Sequence, residues 1–225
     1  MTDFFRFPHT PHITGLNNDV PRDNKVLTSA EVQALLISDV VVEEKMDGAN
    51  IGFSLDTNGF LCVQNRGQYL MPPYSGQFTR ISAWMAQHET ALYSVLTPDL
   101  ILFGEWCVAR HTLDYATLPD WFLLFDVYDR SICRFWSTTR RNLLAEEAGL
   151  ACVPQVMYGQ CTVEDLKGIV ANTPSHYRHG PLEGVVVRRE SAEVCETRGK
   201  LVRQDFVQAI DVHWSSHYIE WNRTS

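Results

Sequence analysis

An amine and a carboxylate one residue apart, Lys45 and Asp47, occupy the stretch Lys45 Met46 Asp47 Gly48 Ala49 Asn50, directly after the run Val40 to Glu44. That β-branched, apolar run predicts a strand, so the pair lies at its mouth, where Gly48 permits a tight loop and close approach of a ligand to the backbone. Loops after strands also carry Asp and Gly merely to turn. Further along stand Glu105 among aromatics (Phe103 Gly104 Glu105 Trp106), Phe125 within Phe122 to Tyr128, Glu183 ahead of Gly184 Val185 Val186 Val187 Arg188, and Lys200 Leu201 Val202 Arg203. Taken singly, each has an ordinary explanation: a carboxylate at a strand end, a turn glutamate, a core aromatic.

Other chemistry is poorly supported. Six cysteines lie far apart with no CxxC pair, which predicts reduced, mostly buried thiols. Three close histidine pairs (His9 with His12, His176 with His179, His213 with His217) lack a third ligand nearby, so surface or core histidine is expected rather than a metal site. A formal net charge of −8 argues against coating nucleic acid by bulk electrostatics. A local basic track stays possible, since Arg188, Arg189, Arg198, Lys200 and Arg203 crowd together, although a solvated strand face would look the same. No apolar stretch reaches membrane-helix length and the start lacks a signal pattern, so a soluble, cytoplasmic protein is expected, with no membrane contact.

The elements that must position these residues are legible in the periodicity. Thr28 and Ser29 ahead of Glu31 offer a capped helix start running to Leu36. Strands are expected at Val40 to Glu44, Ile51 to Leu55 and Phe60 to Gln64, the last two joined at Asn58 and Gly59 as a hairpin. Helical spacing covers Phe78 to Leu96. Strands follow at Leu100 to Val108, Trp121 to Tyr128, Gly184 to Arg189 and Glu193 to Val202, with helices at Thr138 to Ala148, Val163 to Ala171 and Asp205 to His213. The first 26 residues read as irregular. Strands and helices mix without βαβ regularity, which predicts an α+β fold with antiparallel sheets; no linker, repeat or low-complexity tract divides the chain, so one domain over 1–225 is expected.

In their order and spacing the five stretches resemble the motifs of the covalent nucleotidyltransferase superfamily of DNA ligases, RNA ligases and capping enzymes. Lys45 to Asn50 resembles its nucleophile motif, Phe103 to Trp106 the strand with a ribose- or metal-facing glutamate, Phe125 Asp126 Val127 the base-stacking motif, Leu182 to Arg188 the EGVVxK motif, and Lys200 to Arg203 the lysine-bearing final motif. Asn50 points within the superfamily to the RNA ligase 2-like group, since DNA ligases and capping enzymes carry arginine there. Phe7 Pro8 His9 Thr10 Pro11 His12 and Lys200 to Phe206 also resemble bacterial and phage RNA-ligase-type proteins. The resemblance implies the ligase adenylation-domain fold, two antiparallel β-sheets flanked by helices. The 22 residues after Arg203 are too few for the OB-fold domain that follows in DNA ligases and capping enzymes, so none is expected.

What the resemblance implies chemically is specific. Lys45 would attack the α-phosphate of ATP, which requires a neutral amine although free lysine has a pKa of about 10.4. A divalent cation, Mg²⁺ or Mn²⁺, would favour that neutral form and draw charge from the phosphates, with Asp47, Glu105 and Glu183 as its oxygen partners. Lys200, the second catalytic candidate, and Arg203 would face the triphosphate. Arg66 resembles the basic residue contacting phosphate or polynucleotide, Phe125 would stack on adenine with Val185 or Val186 on its other face, and Glu44, Asn50 and Glu105 complete the nucleotide-binding set.

This chain departs from the family in having Arg188 where lysine is frequent, and Lys200 with Arg203 where some members have KxK. Both keep positive charge, but arginine prefers bidentate contacts and cannot serve in proton transfer. The expected activity is an ATP-dependent RNA ligase joining a 5′-phosphate to a 3′-hydroxyl, acting on RNA ends or nicks, alone or with a protein partner that holds the strands. A DNA-joining core, an adenylyltransferase acting on another substrate, and a nucleotide-binding regulatory module without catalysis stay open as alternatives.

Overall fold

Thr28 accepts the N–H of Glu31 on its hydroxyl while the Glu31 carboxylate accepts the N–H of Thr28, the reciprocal cap expected there, and α1 runs Ser29–Leu35. The computed structural model describes residues 4–14, 26–203 and 219–225. After α1 come β1 (Val40–Glu44), β2 (Ala49–Leu55), β3 (Leu61–Asn65), β4 (Tyr69–Leu70), a 3-10 turn (Gly76–Phe78), α2 (Ile81–Val95), β5 (Leu100–Trp106), β6 (Phe122–Asp129), β7 (Arg134–Phe135), α3 (Thr138–Ala148), β8 (Gln155–Gly159), α4 (Val163–Asn172), β9 (Gly184–Glu190) and β10 (Cys195–Val202). The strands and helices expected within the described residues are all present, with small shifts at their ends. The expected helix Asp205 to His213, the pair His213 and His217, and Gln204 to Phe206 lie outside them. Three strands are additional. β4 and β7 are two residues each, too short for a pattern, and β8 is a half-exposed edge strand without clean alternation.

All pairings between the named strands are antiparallel, in keeping with the α+β reading. One sheet has the order β10-β9-β1-β8 and the other β4-β3-β2-β5-β6-β7. In the larger sheet Ile51, Phe53, Leu102, Trp106, Phe122 and Leu124 pack under α2 and α3. In the smaller, Val42, Val185, Val187 and Leu201 pack against residues of α1 and α4. Period-2 alternation then sends Glu43, Val186, Arg188 and Lys200 from one sheet, and Asn50 and Glu105 from the other, into the cleft between them.

The floor of that cleft is a charged seam. Arg141 of α3 donates to Glu43 at 2.6 Å, Arg188 of β9 donates to Asp126 and to Glu190 at 2.7 Å each, and Arg198 of β10 also donates to Asp126. Glu43, Arg188 and Arg198 belong to one sheet and Asp126 to the other, so the seam joins them. Residues 4–14 lack regular structure, as expected, yet they strap the molecule: the N–H of Lys200 donates to Pro11 O at 2.8 Å and that of Ile13 to Lys200 O at 2.9 Å. Phe5 and Phe7 of this strap pack against Phe103, Tyr128 and Phe135. The six cysteines are free thiols. Among the described residues, no helix is long and apolar enough to cross a membrane.

Candidate active site

β1 delivers Lys45 to the start of β9, where its N–H donates to Gly184 O at 2.9 Å. At Gly184 a Cβ would collide with the backbone of Leu201 and Val202, so only glycine lets β9 and β10 come this close beside the amine. The loop after Lys45 is held from three sides. Asp47 accepts the N–H groups of Thr112 and Leu113 on one carboxylate oxygen, at 2.7 Å each, while its own N–H donates to the Tyr115 hydroxyl at 2.9 Å. The N–H of Gly48 donates to Glu105 at 3.0 Å, and a Cβ on Gly48 would stand 2.6 Å from Trp106 O, so the loop's approach to β5 requires glycine.

Strand register assembles the rest. Asn50 and Glu105 are direct partners across β2 and β5; Val186 lies opposite Glu43 on one side and Lys200 on the other. Direct partners share a face, so these side chains form two rows looking into a cleft of about 890 Å³. At the base, Lys45 Nζ lies 2.7 and 2.8 Å from the two oxygens of Glu183. Burial opposes the ammonium, but Glu183, Glu105 and Asp47 outweigh it and raise the Lys45 pKa above its ordinary value. In the protein by itself three carboxylates hold the proton on; the neutral amine that the attack requires is expected only with the charge of a divalent cation.

The same carboxylates compete with one another. Burial, offset by Lys45, together with the charges of Glu183 and Asp47 pushes Glu105 up to about 7, and burial also raises Glu183. Lys200 is moved the other way, down to about 8, by burial and by the charge of Lys45. Burial likewise lowers Arg66, which sits on the β3–β4 turn that Asn65 builds by accepting the N–H groups of Gly67 and Gln68. His12, within the strap, is pushed down to about 4 by burial and by Lys200 and Lys45.

Several expected site residues thus converge on one cleft: Lys45, Asn50, Arg66, Glu105, Phe125 and Lys200 line it, and Glu183 and Asp47 bear on its amine. Phe125 reaches it through a bulge, because Phe103 pairs with Asp126 and Gly104 with Leu124, leaving Phe125 unpaired and turned out of the sheet. Both polar atoms of Asn50 and the Nε of Arg66 are buried without a hydrogen-bond partner. Such orphans are costly unless a ligand satisfies them.

Other expectations need correction. Val185 is fully buried in the core behind the sheet, and by strand parity Val186 is the residue in the cleft. The Glu44 carboxylate is turned to Ser175 (2.5 Å) and His176 (3.0 Å), which leaves its backbone for the cleft. Arg203 donates its N–H to Glu183 O but is not among the residues lining the cleft. The basic cluster near the end does not form a track: Arg188 is consumed by the seam, Arg189 pairs with Glu196, and Arg198 pairs with Asp126. Phe7 and Thr10 of the strap, Gln77, and Asp126 with Arg198 also line the cleft. Phe7, Thr10, Asp126 and Arg198 fall in stretches the sequence marks without assigning them to the cleft, and Gln77 is unmarked, since the long-range contacts that bring them in leave no local pattern.

The cleft's volume suits a nucleotide-sized ligand. Its cations could hold phosphates and its bulged aromatic a base. The carboxylates Asp47, Glu105 and Glu183 are the oxygen donors a magnesium-type ion takes, and Glu105 is raised by burial despite the charges of Lys45 and Arg66. Each is already engaged by protein, and among the described residues no three acidic, histidine or cysteine side chains form a ready-made cage. The donor set therefore fits an ion that keeps most of its waters.

Comparison with solved structures finds the same fold. A Naegleria gruberi RNA ligase mutant with ATP and Mn matches at a TM-score of 0.62 and 16% identity, covering 80% of this chain and 54% of that one. A second mutant of the same ligase, also with ATP and Mn, matches at 0.65 and 15% over 89% and 56%. An archaeal ATP-dependent RNA ligase matches at 0.59 and 21% over 88% and 48%. The chain thus spans about half the length of these proteins. No curated protein matches it. The sequence model of the RNA ligase family matches residues 38–202, from just before β1 to the last residue of β10, a span that holds every cleft-lining residue but Phe7 and Thr10, and the chain belongs to the RNA ligase family.

Proposed function

We propose that the chain is the nucleotidyltransferase core of an ATP-dependent RNA ligase, with Lys45 as its nucleophile. Nζ of Lys45 attacks the α-phosphorus of ATP; an N–P bond forms, the bond to the bridging oxygen breaks, and pyrophosphate leaves. AMP then passes to an RNA 5′-phosphate, and a 3′-hydroxyl displaces it to form the phosphodiester. The observation that carries this reading is the convergence of Lys45, Glu105, Glu183 and Lys200, from four separate segments, on one nucleotide-sized cleft. Lys200 and Arg66 supply positive charge where the leaving pyrophosphate gains negative charge. Phe125 and Val186 offer the apolar surfaces for the base, and the orphaned amide of Asn50 waits for a polar group of the substrate. Asp47, Glu105 and Glu183 would hold a magnesium or manganese ion, whose charge favours the neutral amine and offsets that of the phosphates.

RNA as the polynucleotide is supported by the family and by Asn50; the ATP and Mn named for the Naegleria structures agree with the cofactors. Incubation with ATP and Mg²⁺ followed by intact-mass measurement should show a single AMP adduct, absent in Lys45→Ala. Sealing of nicked duplexes with RNA or DNA on each side of the break then assigns the strand preference. A wild-type mass unchanged across metals and pH leaves a binding module without catalysis as the surviving reading.

A further inference from the structure

The loop that carries Lys45 is not held by its own sheet alone. Residues 107–118 wrap it: Thr112 and Leu113 give their N–H groups to Asp47, and the Tyr115 hydroxyl accepts the N–H of Asp47. That wrapping segment has little regular structure of its own, and its backbone is satisfied from outside by residues 219–225. The N–H of Arg110 donates to Glu220 O, that of Asn222 to Val108 O, that of Arg223 to Tyr115 O, that of Leu118 to Arg223 O, and that of Ser225 to Leu118 O. At the centre is Asn222, 5% exposed, whose amide uses both ends: Oδ1 accepts the N–H of Tyr115 at 2.8 Å, and Nδ2 donates to Cys107 O and Ala109 O at 2.9 and 3.2 Å.

We infer that Asn222 is a positioning residue for the nucleophile, acting through Tyr115 and Asp47 to fix where Lys45 stands. The amide of Asn222 locks the backbone of Tyr115, the Tyr115 hydroxyl locks the backbone of Asp47, and Asp47 is two residues from the amine. No other described group makes these three contacts to Cys107, Ala109 and Tyr115 at once, and an asparagine amide is the side chain with one acceptor and two donors in that compact geometry. A residue remote in sequence thereby sets the approach of the amine to the α-phosphorus. Misplacement of a reacting group by about 1 Å costs on the order of a hundredfold in rate without a matching loss of binding.

The inference rests on Lys45 being the nucleophile, and the test separates the two. Single-turnover adenylation and ATP affinity are measured on the full chain for wild type, Asn222→Ala, Tyr115→Phe and Leu92→Ala, the last making a cavity under α2 remote from the cleft as a control for lost stability. Expected are a wild type that takes up AMP, a rate lowered about 10- to 100-fold in Asn222→Ala and Tyr115→Phe with ATP affinity within about threefold of wild type, and a rate near wild type in Leu92→Ala at a temperature where all are folded. Faster hydrogen exchange at residues 112–115 in Asn222→Ala should accompany the lost rate. If the wild type takes up no AMP, the nucleophile reading fails. If it does and Asn222→Ala matches it, or if Leu92→Ala slows as much as Asn222→Ala, the positioning role is overturned. Should Asn222→Ala not fold, Asn222→Asp, which keeps the acceptor for the Tyr115 N–H and loses the donors to Cys107 and Ala109, is read in the same way, and a wild-type rate in Tyr115→Phe overturns the relay through its hydroxyl.

Discussion

Asp126→Asn takes one charge from a seam that otherwise balances, three carboxylates (Glu43, Asp126, Glu190) against three guanidiniums (Arg141, Arg188, Arg198). The side chains of Asp126 and Arg188 are each 2% exposed, so water cannot take over the lost contact. Removing one partner of such a buried pair costs about 3–5 kcal/mol, because the other charge is left uncompensated. For a domain of this size each kcal/mol lowers Tm by about 2–4 °C, which gives a drop of roughly 6–20 °C. The damage reaches the cleft as well, since Arg141 and Arg188 both donate to the carbonyl of Phe125, at 2.7 and 3.3 Å, and so hold the bulge that presents its ring. Thermal unfolding followed by circular dichroism at about 0.1 and 0.5 M salt is the assay, with the loss persisting at high salt because the seam is shielded from mobile ions. Arg188→Lys keeps the charge but cannot serve Asp126, Glu190 and Phe125 together with a forked guanidinium, so it should lose less stability than Asp126→Asn while still losing some. A Tm for Asp126→Asn within about 2 °C of wild type, or one restored by salt, would refute the balance argued here.

Lys200 gives a pH prediction with a definite sign. Its folded pKa of about 8 lies below the ordinary 10.5, so between those values the unfolded chain holds a proton the folded one has released, and this group's contribution to stability rises with pH across that window. A bound triphosphate should return the proton, so calorimetry of wild-type binding to an ATP analogue with a non-cleavable α,β bridge, in buffers of different ionisation enthalpy, should show proton uptake at pH 9 and none from this group at pH 6.5; no uptake at pH 9 removes Lys200 from the triphosphate. Asn50→Ala deletes two orphaned polar atoms, so Tm should hold or rise while RNA sealing falls by at least about fivefold, and a lowered Tm with full activity would reverse that reading. Phe125→Leu keeps an apolar residue at the bulge but removes the ring, and ATP affinity should weaken by about 2- to 10-fold in a direct titration; an unchanged affinity means the base does not stack there.

The parts of this site legible in sequence are those where a chemical residue is tied to a strand end. Lys45 ends the run Val40 to Glu44, Glu183 precedes Gly184 Val185 Val186 Val187, and Glu105 sits among strand aromatics, so the chain pattern locates both the element and its functional end. Strand parity was not legible to the same depth. Val185 and Val186 are chemically alike, and only the pairing of β9 with β1 and β10 decides that Val186 shares a face with Glu43 and Lys200. Arg188 is the sharper case. A basic residue at the end of that motif suggests a phosphate ligand, yet the acids that claim it, Asp126 and Glu190, come from another sheet and from its own strand end, and the first is 62 residues away in sequence. The strap residues Phe7 and Thr10 carry part of the resemblance but no sign that they reach the cleft, and Asn222 at the other extreme is silent: each acts through contacts that close only when the fold is complete.

The amine itself shows how far residue type constrains chemistry and where it stops. Sequence reasoning asks for a lysine without its proton, whereas the folded chain surrounds Lys45 with Glu183, Glu105 and Asp47 and holds the proton more firmly than water does. Burial works in the direction the reaction wants and the carboxylates work against it, and the carboxylates win. Burial, offset by Lys45, together with the charges of Glu183 and Asp47 leaves Glu105 at about 7, so the amine alone does not compensate the buried anions around it. Positive charge brought in with the substrate relieves both strains together: it neutralises the acids that restrain the amine and stabilises Glu105 in its charged form. On the proposed reading of Lys45 as the nucleophile, the amine is restrained until the positive charge of a bound cation is in place, a coupling that follows from the carboxylates and is invisible in the lysine alone.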